Sequence, residues 1–469
     1  MTTQEQQPAT KTSPSRSLVI ILAAITLVIG IAGCTILNTV MGELPTPAEP
    51  GERIQFEATP EPFALGASAF ASAALQGTPA AYLVPIFGSD KEPLPEPTFI
   101  PTVGPPLPPP TVVVALRPVD FAAARATAQA QELDLAYAKI GFHTGPGGNA
   151  TGIGDWMKDL DAAGVPFFIK STDNAGPIEE AQNIMKANEA AGRFVDHTLV
   201  FRLTDNRFEA PFYNLSLSPE EAAAVSWALN RDNVPPVLEK KYIWLETLNE
   251  PGRYGDNGQL QLERLGRFSL ESAKLAVADG YRYAAFAFST GVPEPEDWEH
   301  PAMLEFLRYA GEHPDKVAVA LHEYSLTNDF ITAGYPYLVG RFQALFAVCD
   351  KYGIPRPTIL ITEWGWEYNN VPEPAAAVED MAWASWLYAA YPQVKGAAVW
   401  YLGAQFGGIA QRAHLLILPM RDYAASHYFI YHPGIGEIDP DQFLPEEPSL
   451  LNLESQPFPT PFPRPQFMP

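Results

Sequence analysis

Between residues 137 and 401 the chain alternates, eight times over, a short run rich in β-branched and aromatic residues with a longer stretch of helical character. The runs fall at 137–142, 166–170, 197–203, 242–247, 283–288, 317–322, 358–362 and 397–401. Strands joined by helical crossovers pair in parallel, and eight such units predict a closed (β/α)8 TIM barrel, an α/β fold. Helix signals agree. Ser218-Pro219-Glu220-Glu221 has the cap, the first-turn proline and the glutamate of a capping box. Gly176-Pro177 opens another helix, which Gly192 closes, and 337–352 carries Leu338, Phe342, Leu345 and Phe346 at helical spacing before Gly353. An open doubly wound sheet is disfavoured, because Gly145-Pro146-Gly147-Gly148 after the first strand lacks the glycine spacing of a phosphate loop. In a barrel of this kind, chemistry belongs to the C-terminal ends of the strands.

The flanks are of another kind. Many of the 48 prolines fall in two stretches, one before about residue 118 and one after about residue 436. Proline removes a backbone donor and fixes φ, so such sequence favours extended polyproline geometry over helix or ladder. Residues 17–42 contain no charged side chain and are long enough to span a bilayer. Lys11 and Arg16 precede this segment and Glu43 follows it, which by the positive-inside rule puts 1–16 in the cytoplasm and the rest outside. The expected order is a cytoplasmic N-terminus (1–16), a transmembrane anchor (17–42), a Pro-rich stalk (43–118), a barrel domain (119–436) and a Pro-rich tail (437–469). That describes a single-pass cell-membrane protein with an extracellular, monomeric head. Two alternatives also export the head: a cleaved secretory signal, and a lipoprotein anchored at Cys34 through Ile31-Ala32-Gly33-Cys34.

A net charge of -24 excludes nucleic acid as a partner, since phosphate binding needs a basic face, and it leans away from anionic polymers toward neutral ones. Of the two cysteines, Cys34 lies in the apolar segment and Cys349 on a helix, so no structural disulfide is expected. The eight histidines show no metal-ligand spacing, and neither metal nor organic cofactor is expected.

Two carboxylates stand where barrel chemistry requires them. The run 242–247 leads into Asn249-Glu250-Pro251, and the run 358–362 ends at Glu363. By count these are strands four and seven. A pair of carboxyl groups at strand ends suits glycosidic hydrolysis, in which one donates a proton and the other attacks the anomeric carbon. His322-Glu323-Tyr324 ends strand six, and Trp400 ends strand eight. On these motifs the sequence resembles clan A of the glycoside hydrolases, typified by glycoside hydrolase family 5, over roughly residues 133 to 435. The resemblance implies a retaining hydrolase of β-linked poly- or oligosaccharides, with Glu250 as acid/base and Glu363 as nucleophile. It further implies that Asn249 contacts the sugar 2-hydroxyl, that Tyr324 of the His322-x-Tyr pair orients the nucleophile, and that Trp400 floors the sugar subsite.

The sequence departs from that family at two points. Lys170 ends strand two where an arginine is usual, while Arg202 lies on strand three, as a substrate-site residue or a barrel-wall partner. The usual histidine after strand three is missing, and His143 follows strand one instead. Trp366 is a further candidate sugar platform; Tyr368 and Tyr401 also flank the site, and Phe208, Phe212 and Tyr213 in 205–216 form a cleft wall. Trp156 and Trp244 read as core. A second functional class is a catalytically inactive barrel serving as a cell-surface carbohydrate-binding or scaffold protein, disfavoured because both glutamates are present.

Overall fold

The computed structural model describes residues 111–114, 119–251, 261–326, 330–367 and 370–432. The segments read as cytoplasmic N-terminus, anchor and tail, nearly all of the stalk, Cys34 and Tyr368 lie outside these residues. Among the described residues no helix is long and apolar enough to cross a membrane.

The strands are β1 (Thr111–Val114), β2 (Asp134–Tyr137), β3 (Ile140–Thr144), β4 (Phe168–Thr172), β5 (Thr198–Arg202), β6 (Ile243–Glu246), β7 (Arg282–Phe288), β8 (Val317–Tyr324), β9 (Thr358–Gly365), β10 (Val394–Val399) and β11 (His427–Tyr431). Strands β3 to β10 pair in parallel in chain order, and β10 closes on β3 with Ala397 opposite Ile140. The eight-stranded barrel expected from the alternation is therefore present. Its helices are α1 (Phe121–Gln129), α2 (Ile153–Ala162), α3 (Ala175–Ala190), α4 (Asn206–Tyr213), α5 (Pro219–Asn233), α6 (Leu262–Ala278), α7 (Pro301–Glu312), α8 (Phe342–Lys351), α9 (Pro374–Ala389), α10 (Ile409–His414) and α11 (Ile417–Ser426). Ser218 and Glu221 form the expected capping box on α5.

Three details differ from the sequence reading. The run 137–142 is not one strand. Tyr137 belongs to β2, which pairs with β11, and the chain turns at Ala138 and Lys139 before entering the barrel. At that break Lys139 Nζ donates to the carbonyls of Tyr388, Tyr391 and Val394 at 3.0, 3.0 and 2.8 Å. The last residues of the supposed stalk are also structured. Thr111–Val114, three of them valine, form β1 and pair antiparallel with β11, completing a three-stranded sheet in the order β1-β11-β2. Finally, the helix expected over 337–352 begins only at Phe342, after Gly340 takes a φ of 84° that a helix cannot continue.

Side chains alternate across each barrel strand, one set facing the lumen and the other the helices. The lumen is filled by its own small cluster: Phe168, Val200, Trp244, Ala284, Ala287, Ala318, Ala320, Leu360 and Ala398. β3 contributes a glycine to this layer, because a Cβ on Gly141 would stand 1.7 Å from the Phe168 carbonyl oxygen. The outward set, such as Ile169, Leu199, Ile243, Val319 and Ile361, joins the large core beneath the helices.

Candidate active site

Moving two residues along from the lumen layer changes the chemistry. Phe168 is followed by Lys170, Val200 by Arg202 and Trp244 by Glu246, so the next layer is charged. The Lys170 and Glu246 side chains are both fully buried, with Nζ 2.7 Å from Oε1. Arg202 Nε lies 3.4 Å from the same Glu246 oxygen. Burial alone would raise the Glu246 pKa, but the charges of Lys170 and Arg202 outweigh it and hold the carboxylate below its usual range.

Glu363 reaches this layer through a bulge. Leu321 pairs with Ile361 and His322 with Glu363, so Thr362 is an extra residue in β9. Strict alternation from Leu360 would turn Glu363 toward the helices; the bulge turns it inward. There its Oε1 lies 3.5 Å from Lys170 Nζ, and its Oε2 accepts from the Tyr324 hydroxyl at 2.8 Å. Burial opposes ionisation, yet the charges around it, those of His322, Lys170 and Arg202 among them, hold the carboxyl well below the usual carboxylate range. Glu363 is thus an ionised, oriented carboxylate, and its side chain is 10% exposed.

Glu250 sits across from it with a side chain 40% exposed. His322 Nδ1 and Glu250 Oε1 share a hydrogen at 2.8 Å, and the same nitrogen is 3.5 Å from Glu363 Oε2. One carboxylate oxygen of Glu250, one of Glu363 and a ring nitrogen of His322 all lie within 4.8 Å of one another. A divalent ion could bridge such a set, which the histidine spacing in sequence gave no reason to expect.

The other candidates fall as follows. Both His143 nitrogens are buried without a hydrogen-bond partner, and Nδ1 lies 3.9 Å from Glu363 Oε1. Burial, and then the charge of Lys170, push the imidazole pKa well down, so it is neutral at pH 7. Asn249 Oδ1 and His322 Nε2 are likewise buried and unpartnered. Trp400 is half-buried and meets Tyr324 edge-on at 6.5 Å between centroids, which puts its ring beside the carboxylates. Arg202 is an ion-pair partner of Glu246 across adjacent barrel strands. Trp366 is a correction. It is 1% exposed and its Nε1 donates to Asp380 Oδ2 at 2.6 Å, so it braces the site from behind and offers no face to a sugar.

From sequence, Glu246, like Glu323 and Glu367, has no role beyond solvation or support of the site, and Glu209 is not singled out. A charge two positions after a lumen-filling Trp244 was the signal for Glu246. Glu209 had none, since its place depends on how α4 folds back over the strand ends. A cavity of about 1190 Å³ lies at the opposite end of the barrel, lined by Phe121, Tyr137, Phe167 and Lys139 among others. Charged groups there are taken up locally: Arg421 pairs with Asp159 and Lys395 with Asp196.

No family model and no curated protein matches the chain. Among solved structures it is similar to a broad-specificity endoglucanase from Clostridium acetobutylicum, classed GH5-4, at 15% identity over 61% of this chain and 98% of that one, TM-score 0.37. A β-mannanase from Thermomonospora fusca follows at 13% identity, over 59% of this chain and 82% of that one, TM-score 0.31. An aldolase from Escherichia coli is also similar, at 11% identity, over 65% of this chain and 98% of that one, TM-score 0.26. Its structural likenesses include family 5 glycoside hydrolases. Barrels host many chemistries, so activity is argued from the side chains alone.

Proposed function

We propose that the protein is a retaining glycoside hydrolase that cleaves β-linked, neutral poly- or oligosaccharides by double displacement. The observation that carries this reading is the paired carboxylates, with oxygens of Glu250 and Glu363 within 4.8 Å of one another. Retaining enzymes hold their carboxyl groups about 5–5.5 Å apart, whereas inverting ones leave room for a water at about 6.5–9.5 Å. Glu363, kept ionised by its cationic neighbours and aimed by the Tyr324 hydroxyl, attacks the anomeric carbon. Glu250, on the open side of the site, gives its proton to the departing oxygen and then takes one from the incoming water. His322 Nδ1 lies between the two carboxyls, 2.8 Å from Glu250 Oε1 and 3.5 Å from Glu363 Oε2, and so helps to orient both. The unpartnered Asn249 Oδ1 and His143 nitrogens supply contacts for sugar hydroxyls, and Trp400 supplies an aromatic face. A membrane tether through 17–42 with the head outside the cell belongs to the same proposal and rests on the sequence of that segment.

The test is hydrolysis of a panel of β-glycans and aryl β-glycosides, with Glu250→Gln and Glu363→Gln alongside. Expected are retained anomeric configuration by NMR and losses on the order of 10³-fold or more in each variant. Undiminished activity in Glu363→Gln would sink the nucleophile assignment. Tight glycan binding without cleavage by the wild type would move the weight to the inactive-barrel reading.

A further inference from the structure

We propose that Tyr401 is a positioning residue for the sugar site: wedged between Gly145 and Gly403, its ring holds Trp400 and His143 where a glycan meets them. This rests on the hydrolase reading above.

The wedge fits because two side chains are missing. A Cβ on Gly145 would stand 2.1 Å from Tyr401 Oη, and a Cβ on Gly403 would stand 2.1 Å from Tyr401 Cζ. The three atoms nearest to either position all belong to that phenol. Gly145 follows β3 and Gly403 follows β10, the two strands whose pairing closes the barrel. Their loops are laced together. The Leu402 N–H donates to the His143 carbonyl, the Asn149 N–H to the Leu402 carbonyl and the Ala404 N–H to the Pro146 carbonyl, each at 2.9 Å. Asn174 Nδ2, beyond β4, donates to the Gly145 carbonyl at 3.3 Å. Gly148 has a φ of 70°, in the left-handed region that favours glycine, and a Cβ there would lie 2.2 Å from the Leu402 carbonyl oxygen. The run Gly145-Pro146-Gly147-Gly148, unsuited to a phosphate, is thus shaped for close approach to the loop that carries Tyr401.

Tyr401 itself is 7% exposed, too little to offer a sugar its face. It touches two residues that belong to the site. Trp400 stacks on it with centroids 5.2 Å apart and planes 21° from parallel, and His143 meets it edge-on at 5.0 Å. Neither His143 nitrogen has a hydrogen-bond partner, so packing sets the tilt of the imidazole. Phe406 packs edge-on to both Trp400 and Tyr401, at 4.7 and 5.7 Å. A ring confined in this way has no room to shift, and its loss leaves a void beside Trp400 and His143 into which both can move.

The test is a double-variant cycle read below each chain's unfolding transition. Tyr401→Ala should lower kcat/KM on a glycan about 10- to 100-fold, and Tyr401→Phe, which keeps the ring, less than about threefold. Gly403→Ala, whose new Cβ runs into the Tyr401 ring, should lose about as much as Tyr401→Ala. Together the two alanines should lose no more than Tyr401→Ala alone, because the added Cβ then has no ring to displace. Losses that multiply overturn the proposal. Tyr401→Leu, which stops short of Cζ, takes the alanine's place in the cycle if Tyr401→Ala does not fold. A Tyr401→Ala chain that melts earlier yet keeps its kcat/KM makes the ring structural filling alone, and also overturns the proposal. If the wild type cleaves no glycan, the hydrolase reading fails, and crystal structures of the variants decide this one. Trp400 and His143 displaced in Tyr401→Ala but in place in Tyr401→Phe support it, and both rings unmoved in Tyr401→Ala overturn it.

Discussion

Lys170 and Glu246 lie at the centre of the barrel mouth with no exposure to water, each neutralising the other at 2.7 Å. Removing one partner leaves the other only its longer contact, Arg202 for Glu246 at 3.4 Å and Glu363 for Lys170 at 3.5 Å, so the cost should sit near about 3 kcal/mol, the low end for a broken buried pair. Lys170→Met should therefore lower unfolding free energy by roughly that amount in urea melts, and Lys170→Met with Glu246→Leu should recover much of it. Activity should stay low in the double variant, because Lys170 also faces Glu363 Oε1 at 3.5 Å. A different buried acid adds a pH dependence to the fold. Glu323, beside the site on β8, points away from it and accepts from Tyr388 at 2.7 Å. Burial is the largest influence on it and lifts its pKa to about 7 from 4.5. A carboxyl raised on folding binds its proton more tightly in the folded state, so the stabilisation is complete below about pH 4.5 and is lost as pH rises toward 7. Glu323→Gln, which cannot ionise, should be more stable than the wild type at pH 8 by on the order of 2–3 kcal/mol, and the difference should shrink by pH 5. Equal pH slopes in wild type and variant would remove Glu323 as the cause.

Among the elements, the barrel strands were legible because composition and spacing alone force parallel pairing, and the two glutamates were legible because they sit at strand ends. Alternation also carried more than was drawn from it: Phe168 and Lys170, Val200 and Arg202, Trp244 and Glu246 repeat one pattern of filler then charge. What could not be read is local departure from alternation. Counting by twos from Leu360 turns Thr362 inward and Glu363 outward, and nothing in the chain announces the bulge that reverses them. Likewise 137–142 is continuous in β character, and its division falls at Lys139, whose ammonium reaches carbonyls some 250 positions away. The register itself is testable at β3 and β4. A Cβ on Gly141 meets the Phe168 carbonyl at 1.7 Å, a contact between backbones that no rotamer relieves. Gly141→Ala should destabilise the fold by about 3 kcal/mol or more, or prevent it. Gly353→Ala, at φ 61° with open space around it, should cost nearer about 1 kcal/mol.

Across the whole molecule, the two ends of the described chain meet. β1 comes before the first barrel unit and β11 after the last, and the pair lies with β2 in one antiparallel sheet, with Thr111 opposite Ile430 and Val114 opposite His427. β11 is the central strand of three, and its Phe429 is fully buried against Ala136 and Ala389. A chain that begins at Val119 keeps every residue of the candidate site but turns β11 into an edge with unpaired N–H and C=O groups. Such a chain should lose about 1–2 kcal/mol, a fall of roughly 2–3 °C in Tm for a domain of this size, relative to one beginning a few residues before Thr111. Its kcat/KM below the transition should be unchanged, because β1 pairs only with β11 and takes no part in the barrel. Light scattering should show it self-associating as the shorter chain seeks a partner for the exposed edge. A shortened chain with the same Tm and no association would mean that β1 rests on the sheet without helping to hold it.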